Sequence, residues 1–581
     1  MKKSITLLFA LSALGLHGGE QTNIYFSGSD DPNNPIMLSE AFKGKPTEID
    51  GYLASYGRKD FNDTDYSPAY VGVDANTAYK VKQLVLSSSY GGPRANLDFA
   101  FYQDSSLTIT SNDVLNYNGK DDSAVSYNFH LAEGATNATL NLDGGIKLDL
   151  NCTSTTHKRN LTIGSGLKVY TKAGVDITGA TGSKFTVNGN WKTTGSTTFT
   201  DLNTDIGGSY SSTGKTSIAG TSNVTISSGA SFATSTTANI SNTSNVIIAE
   251  GATMSTGNLS VLDTANLTVN GTLNVNNLAI QKDGSAHATM SIGNNAVINA
   301  SSIYARSGNT FVTLNGNAKI NIEKNTNHES SNGSSLFTAA RELNVNDNAE
   351  LTIKSTYTNQ RMLKMYEATN IRGKLITEGG FIITSRIGLS IYSSDNVIKS
   401  NILLGEVDII TGGRGGKLAV YKSNDFSDAT LMTATYTNKS TIISTLVLGS
   451  NVELKLNAIS FFKSESDDTL EINFGSNSKL ILNQLIDLDA MSDQGILGAE
   501  DKISIINFAE KSFGIKNHIA SDDALLSQIF ANGVDQFYWV KDNTAGVWWL
   551  SAIAPAVPEP AEWAILLGGI ALTLAIYRKR K

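Results

Sequence analysis

The residues with the means to do chemistry are scattered. Six histidines, His17, His130, His157, His287, His328 and His518, sit apart with no metal-ligand spacing. The single cysteine, Cys152, excludes an intramolecular disulfide framework and reads as a small buried hydrophobe. Asp60-Phe61-Asn62-Asp63-Thr64-Asp65 has the oxygen donors of a calcium loop but lacks its central Gly and distal Glu, so it reads as an ordinary turn. Gly412-Gly413-Arg414-Gly415-Gly416 lacks the Lys-Ser/Thr ending of a phosphate cradle, and no helical pattern follows it. No Gly-x-Ser-x-Gly elbow is present. Asn203-Thr204-Asp205 offers one carboxylate, but hydrolysis of a glycosidic bond needs two on one face. Trp548 and Trp549 read as hairpin packing, with a sugar platform as the sharper alternative. The expectation is therefore no catalytic, metal or cofactor-binding residues.

The elements that would carry such residues form a repeat. Segments beginning at Val224, Val246, Leu267, Met290 and Val312 align, each with an apolar residue two positions on: Ile226, Ile248, Val269, Ile292 and Leu314. Gly229, Gly251, Thr272, Asn295 and Asn317 follow as corners, each succeeded by a small or apolar residue, Ala230, Ala252, Leu273, Ala296 and Ala318. The starts lie about 22 residues apart, within the period range of solenoids. Alternation on both sides of a Gly or Asn corner specifies strand, turn, strand. One such unit cannot bury its apolar side; stacked units can, at roughly 4.8 Å per layer. Upstream copies are read at Leu107/Ile109, Leu140/Leu142 with Gly145, Leu161/Ile163 with Gly166, and Phe185/Val187 with Trp191 at the corner, and a degenerate copy near Ile206. Downstream copies start at Leu343, Leu446 and Ile472, with a less regular, more charged stretch from Thr356 to Lys439. The predicted fold is all-β: a right-handed parallel β-helix of some 18 layers with N- and C-terminal caps, about 85 Å long, plus one C-terminal transmembrane helix.

The divisions expected are a signal peptide at 1–19, an N-terminal cap at 20–82, the parallel β-helix at 83–490, a C-terminal cap with an aromatic hairpin at 491–553, and a sorting signal at 554–581 containing a transmembrane helix at 563–577. Lys2 and Lys3 before the apolar run Ile5–Leu16 suit export. The cap from 20 to 82 would shield the unpaired backbone of the first coil. Helical spacing is read at Asp523–Ala531 through Leu525, Leu526, Ile529 and Phe530. The strands Phe537–Val540 and Val547–Leu550 would form the closing hairpin. A formal charge of −8 over 581 residues argues against nucleic acid.

The tail carries the most specific signal. Val557-Pro558-Glu559-Pro560 precedes an apolar run from Trp563 to Tyr577, which ends in the basic stop Arg578-Lys579-Arg580-Lys581. This arrangement resembles the PEP-CTERM sorting signal of Gram-negative bacteria. The resemblance covers only the last two dozen residues. It implies recognition by an exosortase, a membrane protease/transpeptidase, and delivery of an inner-membrane-anchored precursor to the outer surface or extracellular matrix. The body more loosely resembles adhesin-like and autotransporter-passenger β-solenoids. Together these imply an exported, non-catalytic, adhesin-like rod with exopolysaccharide or cell-surface glycans as partners. The alternative is a β-helix polysaccharide lyase or glycoside hydrolase. Asn203-Thr204-Asp205 resembles one polygalacturonase motif, but that family's Asp pair, Gly-His-Gly and Arg-Ile-Lys are absent at the downstream spacing.

Overall fold

The computed structural model describes residues 24–26, 31–56, 69–87, 94–111, 115–118, 124–150, 159–180, 182–283, 286–305, 312–324, 335–339, 341–358, 360–405, 415–433, 443–461, 469–474, 478–482, 529–531, 538–542, 547–551, 570–571 and 578–579. The chain is all-β, with long parallel sheets in the pairing pattern of a parallel β-helix. It divides into two compact units. The first holds residues 1–239, 243–246 and 253–255; the second holds 240–242, 247–252 and 256–581.

In the first unit, parallel pairing joins Ile36–Met37, Ala69–Val73, Arg94–Phe101, Ala124–Leu131, Arg159–Ile163, Lys184–Val187, Asn203–Ile206 and Asn223–Ile226 in one stack. A second stack runs through Ala78–Val81, Ser105–Ile109, Ala138–Leu142, Lys168–Thr171, Asn190–Thr193 and Ser209–Ser212. A third contains Ile146–Asp149, Val175–Thr178, Thr197–Thr200 and Thr216–Ala219. Each winding thus supplies three short strands. Alternate residues face inward, as in Val175–Thr178, where Val175 and Ile177 are buried. The short helix Leu38–Ala41 sits at the start of this unit. Asp74 accepts hydrogen bonds from Ser39 N at 2.8 Å, Ser39 Oγ at 2.6 Å and Tyr79 Oη at 2.7 Å, and Phe42 packs on Tyr79 with ring centroids 4.9 Å apart. Burial and, after it, the Asp74 hydrogen bond push the Tyr79 hydroxyl well above the ordinary tyrosine range. Parallel pairing already begins at Ile24–Phe26 and Tyr52–Tyr56, upstream of position 83.

Two upstream copies of the repeat occupy a different stack from the one their sequence suggests. Leu140 and Leu142 pair with Leu107 and Ile109 below and with Val169 and Thr171 above. The residues level with Leu161 and Ile163 are Tyr127 and Phe129, and beyond them Leu97 and Phe99. All three strands of a winding share the same alternation, so the pattern identifies a strand without saying which side it forms. The copy near Ile206 is in register: Phe185, Thr204 and Val224 stand in one column. Trp191 is no corner residue. It lies inside the strand Asn190–Thr193, buried, with Nε1 donating to Thr171 Oγ1 at 2.9 Å. Around it Phe185, Phe199, Tyr210 and Phe232 form a continuous aromatic interior, with centroid separations from 5.3 to 6.1 Å.

In the second unit, Leu267 and Val269 pair with Met290 and Ile292, as the repeat requires. Thr272–Ile280 and Val297–Ala305 are long strands that bend instead of stopping at a corner. Val297–Ala305 then hands its two halves to separate strands, Lys319–Lys324 and Phe337–Ala339. A further stack links Val312–Leu314, Leu343–Val345, Thr369–Ile371, Leu389–Ile391, Lys417–Val420, Ile443–Leu448 and Thr469–Phe474. The stretch from Thr356 to Lys439 therefore continues the same ladder. Its pattern is hidden because buried Thr369 takes the place of an aliphatic residue. The predicted corners Gly229 and Gly251 have positive φ, as do Asn348 and Asn451 in the copies that start at Leu343 and Leu446, whereas near Asn317 the left-handed residue is Gly316.

The helical reading of Asp523–Ala531 fails at its end. Ile529–Ala531 is a strand paired in parallel with Lys479–Leu482. Its apolar residues fit either period over so short a run, and the open ladder offers backbone partners that an isolated turn of helix lacks. Tyr538–Asp542 and Val547–Ser551 pair antiparallel, forming the hairpin expected there. Among the described residues no helix is long and apolar enough to cross a membrane. Most of the expected span at 563–577 lies outside them; Ile570–Ala571 and Arg578–Lys579 are helical.

Candidate functional site

Val557, Pro558, Glu559, Pro560, Arg580 and Lys581 lie outside the described residues, as do Cys152, His157, His328 and the turn at 60–65. Asp205 faces outward, paired with Lys184 at 2.5 Å, and its neighbours in register are Thr186 and Thr225. No second carboxylate joins it from the adjacent windings of that row. Among the described residues no group of three or more His, Cys, Asp or Glu could hold a metal ion.

One histidine does meet a carboxylate. Strand pairing brings Asn128 level with Asp98, and His130 lies two residues along. Asp98 lies 2.6 Å from His130 Nε2 and accepts from Asn128 Nδ2 at 2.5 Å, while His130 Nδ1 meets the Leu131 carbonyl at 2.8 Å. Both partners of the ring are acceptors, so the arrangement favours the doubly protonated imidazolium. The Asp98 hydrogen bond is the main cause that raises the His130 pKa; burial opposes it, and the Asp98 charge adds to it. With both nitrogens donating, neither is free to take a proton from a substrate. This pair is a clasp between two windings.

The outward faces carry amide ladders. Asn245 donates to Asn223 at 2.9 Å, and Asn223 to Asn203 at 3.1 Å. In the second unit Asn321 donates to Asn299 at 2.9 Å, and Asn299 to Asn274 at 2.8 Å. Equal residues on successive windings are brought to the layer spacing, where each amide donates to the one below and accepts from the one above. Serine and threonine hydroxyls do the same toward backbone carbonyls, as in the exposed Ser235 Oγ to Thr213 O at 2.7 Å.

A different column stands at one corner of the second unit. Tyr392 N donates to Ile371 O, Tyr421 N to Ile391 O, and Gly449 N to Val420 O, which places Arg372, Tyr392, Tyr421 and Gly449 on consecutive windings. The two tyrosine rings stack with centroids 4.8 Å apart and planes 9° from parallel. The Arg372 guanidinium lies over Tyr392, 4.9 Å from its centroid. Below the rings the turns are fixed by a buried amide network. Asn396 Oδ1 accepts from Leu375 N at 3.0 Å; Asn396 Nδ2 donates to Asn424 Oδ1 at 3.1 Å; and Asn424 Nδ2 donates to Ser393 O at 2.9 Å and Lys422 O at 2.8 Å. The tyrosines are thus held on a rigid base while Tyr421 stays 39% exposed. Sequence reasoning passed over them because each is a single aromatic just after a strand. The signal was the shared context Leu389-Ser390-Ile391-Tyr392 and Leu418-Ala419-Val420-Tyr421.

No protein-family model, curated protein or solved structure matches this chain.

Proposed function

We propose that this is an exported, non-catalytic surface or extracellular-matrix protein, an adhesin-like β-solenoid. The observation that carries the reading is the ladder of outward Asn, Ser and Thr side chains bonded from winding to winding, as at Asn203, Asn223 and Asn245. Such a face offers repeated amide and hydroxyl groups to glycans without a poised acid, base or nucleophile. The isolated, ion-paired Asp205 weighs against the polysaccharide-cleaving alternative. Its windings are read as right-handed, the hand favoured by connections between parallel strands of one sheet.

Delivery rests on the two ends of the sequence. The tail from 554 to 581 is read as a sorting signal: the run at 563–577 is a transmembrane helix before processing, and Arg578, Lys579, Arg580 and Lys581 hold it on the cytoplasmic side. An exosortase-type enzyme then acts at Val557-Pro558-Glu559-Pro560, and the partners of the mature chain are exopolysaccharide or cell-surface glycans. Replacing Pro558, Glu559 and Pro560 with Ala should leave unprocessed, membrane-retained protein in fractionated cells; normal release of that variant rejects the sorting. Glycan-array binding and cell-aggregation assays test the adhesive role. A mature protein that neither binds glycans nor aggregates cells rejects it.

A further inference from the structure

Among the described residues the tyrosine column has one open end. Tyr392 has Arg372 over one side and Tyr421 stacked on the other, and Tyr421 is followed on the next winding by Gly449. A Cβ at Gly449 would stand 3.2 Å from Tyr421 Cδ1, so glycine leaves uncovered what any other side chain would crowd. Among the described residues the result is a slot walled by a flat ring and floored by the Gly449 backbone. Lys422, the residue that follows Tyr421 in the chain, is exposed. Neither Lys422 nor Arg372 has a carboxylate partner among the described residues, whereas Arg341 pairs with Glu367 at 2.9 Å and Lys455 with Asp425 at 3.2 Å.

From this geometry we infer that the Tyr421–Gly449 slot binds one ring of an acidic polysaccharide, a uronate. The negative face of the phenol attracts the C–H face of a pyranose, which carries partial positive charge, and a ring laid on Tyr421 extends the existing stack at its own spacing. The Lys422 ammonium meets the sugar carboxylate. Arg372 closes the far end, so the column has a single site. The rigid Asn396–Asn424 base means little ordering is needed on binding. The inference rests on the surface-protein reading, since an exported chain is the one that meets such a polymer.

Calorimetry of the purified full chain with oligogalacturonate, a neutral dextran oligosaccharide and a single-stranded oligonucleotide tests it. Oligogalacturonate should bind most tightly. Tyr421→Ala and Gly449→Val should each weaken it about tenfold, the loss of one ring contact. Lys422→Gln should narrow the preference for uronate over dextran. Tyr366→Ala, at another exposed tyrosine of the same unit, should change nothing. A circular-dichroism spectrum unchanged from wild type confirms that each variant is folded. Unaltered uronate binding by both Tyr421→Ala and Gly449→Val overturns the slot. Equal affinity for dextran, or tighter binding of the oligonucleotide, overturns the uronate assignment. If other glycans bind regardless of Tyr421, the slot falls while the surface-protein reading stands. If no glycan binds and cells do not aggregate, both fall.

Discussion

Single residues in the stack are constrained by what their column leaves them to bond with. Thr204 stands between Phe185 and Val224, fully buried, with its hydroxyl lacking a hydrogen-bond partner among the described residues. A buried unsatisfied hydroxyl costs about 1–3 kcal/mol. Thr204→Val keeps the shape and removes that cost, so it should raise stability by about 1 kcal/mol in urea unfolding. His130 behaves in the opposite sense, since its contact with Asp98 is favourable. Because the folded pKa is raised above the ordinary value of 6.5, the contribution is complete below about pH 6.5 and is lost as pH climbs through the folded pKa. His130→Gln should therefore destabilise more at about pH 6 than at about pH 9, measured by urea midpoints. An equal loss at both values would show that the imidazole acts by packing alone.

At the level of elements, the strands are too short to stand alone and derive their stability from neighbours above and below. Trp191 shows how concentrated that can be. It belongs to one four-residue strand yet touches Phe185 and Tyr210 and satisfies Thr171. Trp191→Ala should cost about 3–5 kcal/mol, from lost burial, an unfilled cavity and an orphaned hydroxyl. In the second unit, Asn396 and Asn424 tie two successive turns together inside the protein. Asn396→Ala leaves the Leu375 amide without its acceptor and should cost about 2 kcal/mol. Both losses are measurable by denaturant titration followed by circular dichroism.

For the molecule as a whole, each unit is a stack in which a winding contacts the windings on either side, so perturbations stay local. Trp191 lies in the first unit and Asn396 in the second, with no shared partner. The double variant should lose the sum of the two single costs to within about 0.5 kcal/mol. A shortfall well beyond that would reveal coupling transmitted along the stacks. The formal charge of −8 contributes no attraction for polyanions overall. Recognition of an acidic sugar must then come from local groups such as Lys422, and its salt dependence should be that of one ion pair.

Much of this was legible in the chain. Apolar residues at every second position around Gly and Asn corners specify strands with one buried face, and their recurrence about every 22 residues points to successive windings stacked in parallel over a common interior. Leu267 over Met290 and Leu446 over Ile472 stand as the repeat places them. Periodicity alone could not say which of three equivalent sides a strand forms, and Leu140 moved to another stack for that reason. Nor could it tell a helical turn from a strand at Ile529, where an unpaired ladder supplied the deciding hydrogen bonds. The Arg372, Tyr392, Tyr421 and Gly449 column was equally hidden. Its members are separated by unequal lengths of chain, and only the winding, which sets one corner directly over the last, turns four isolated residues into a surface.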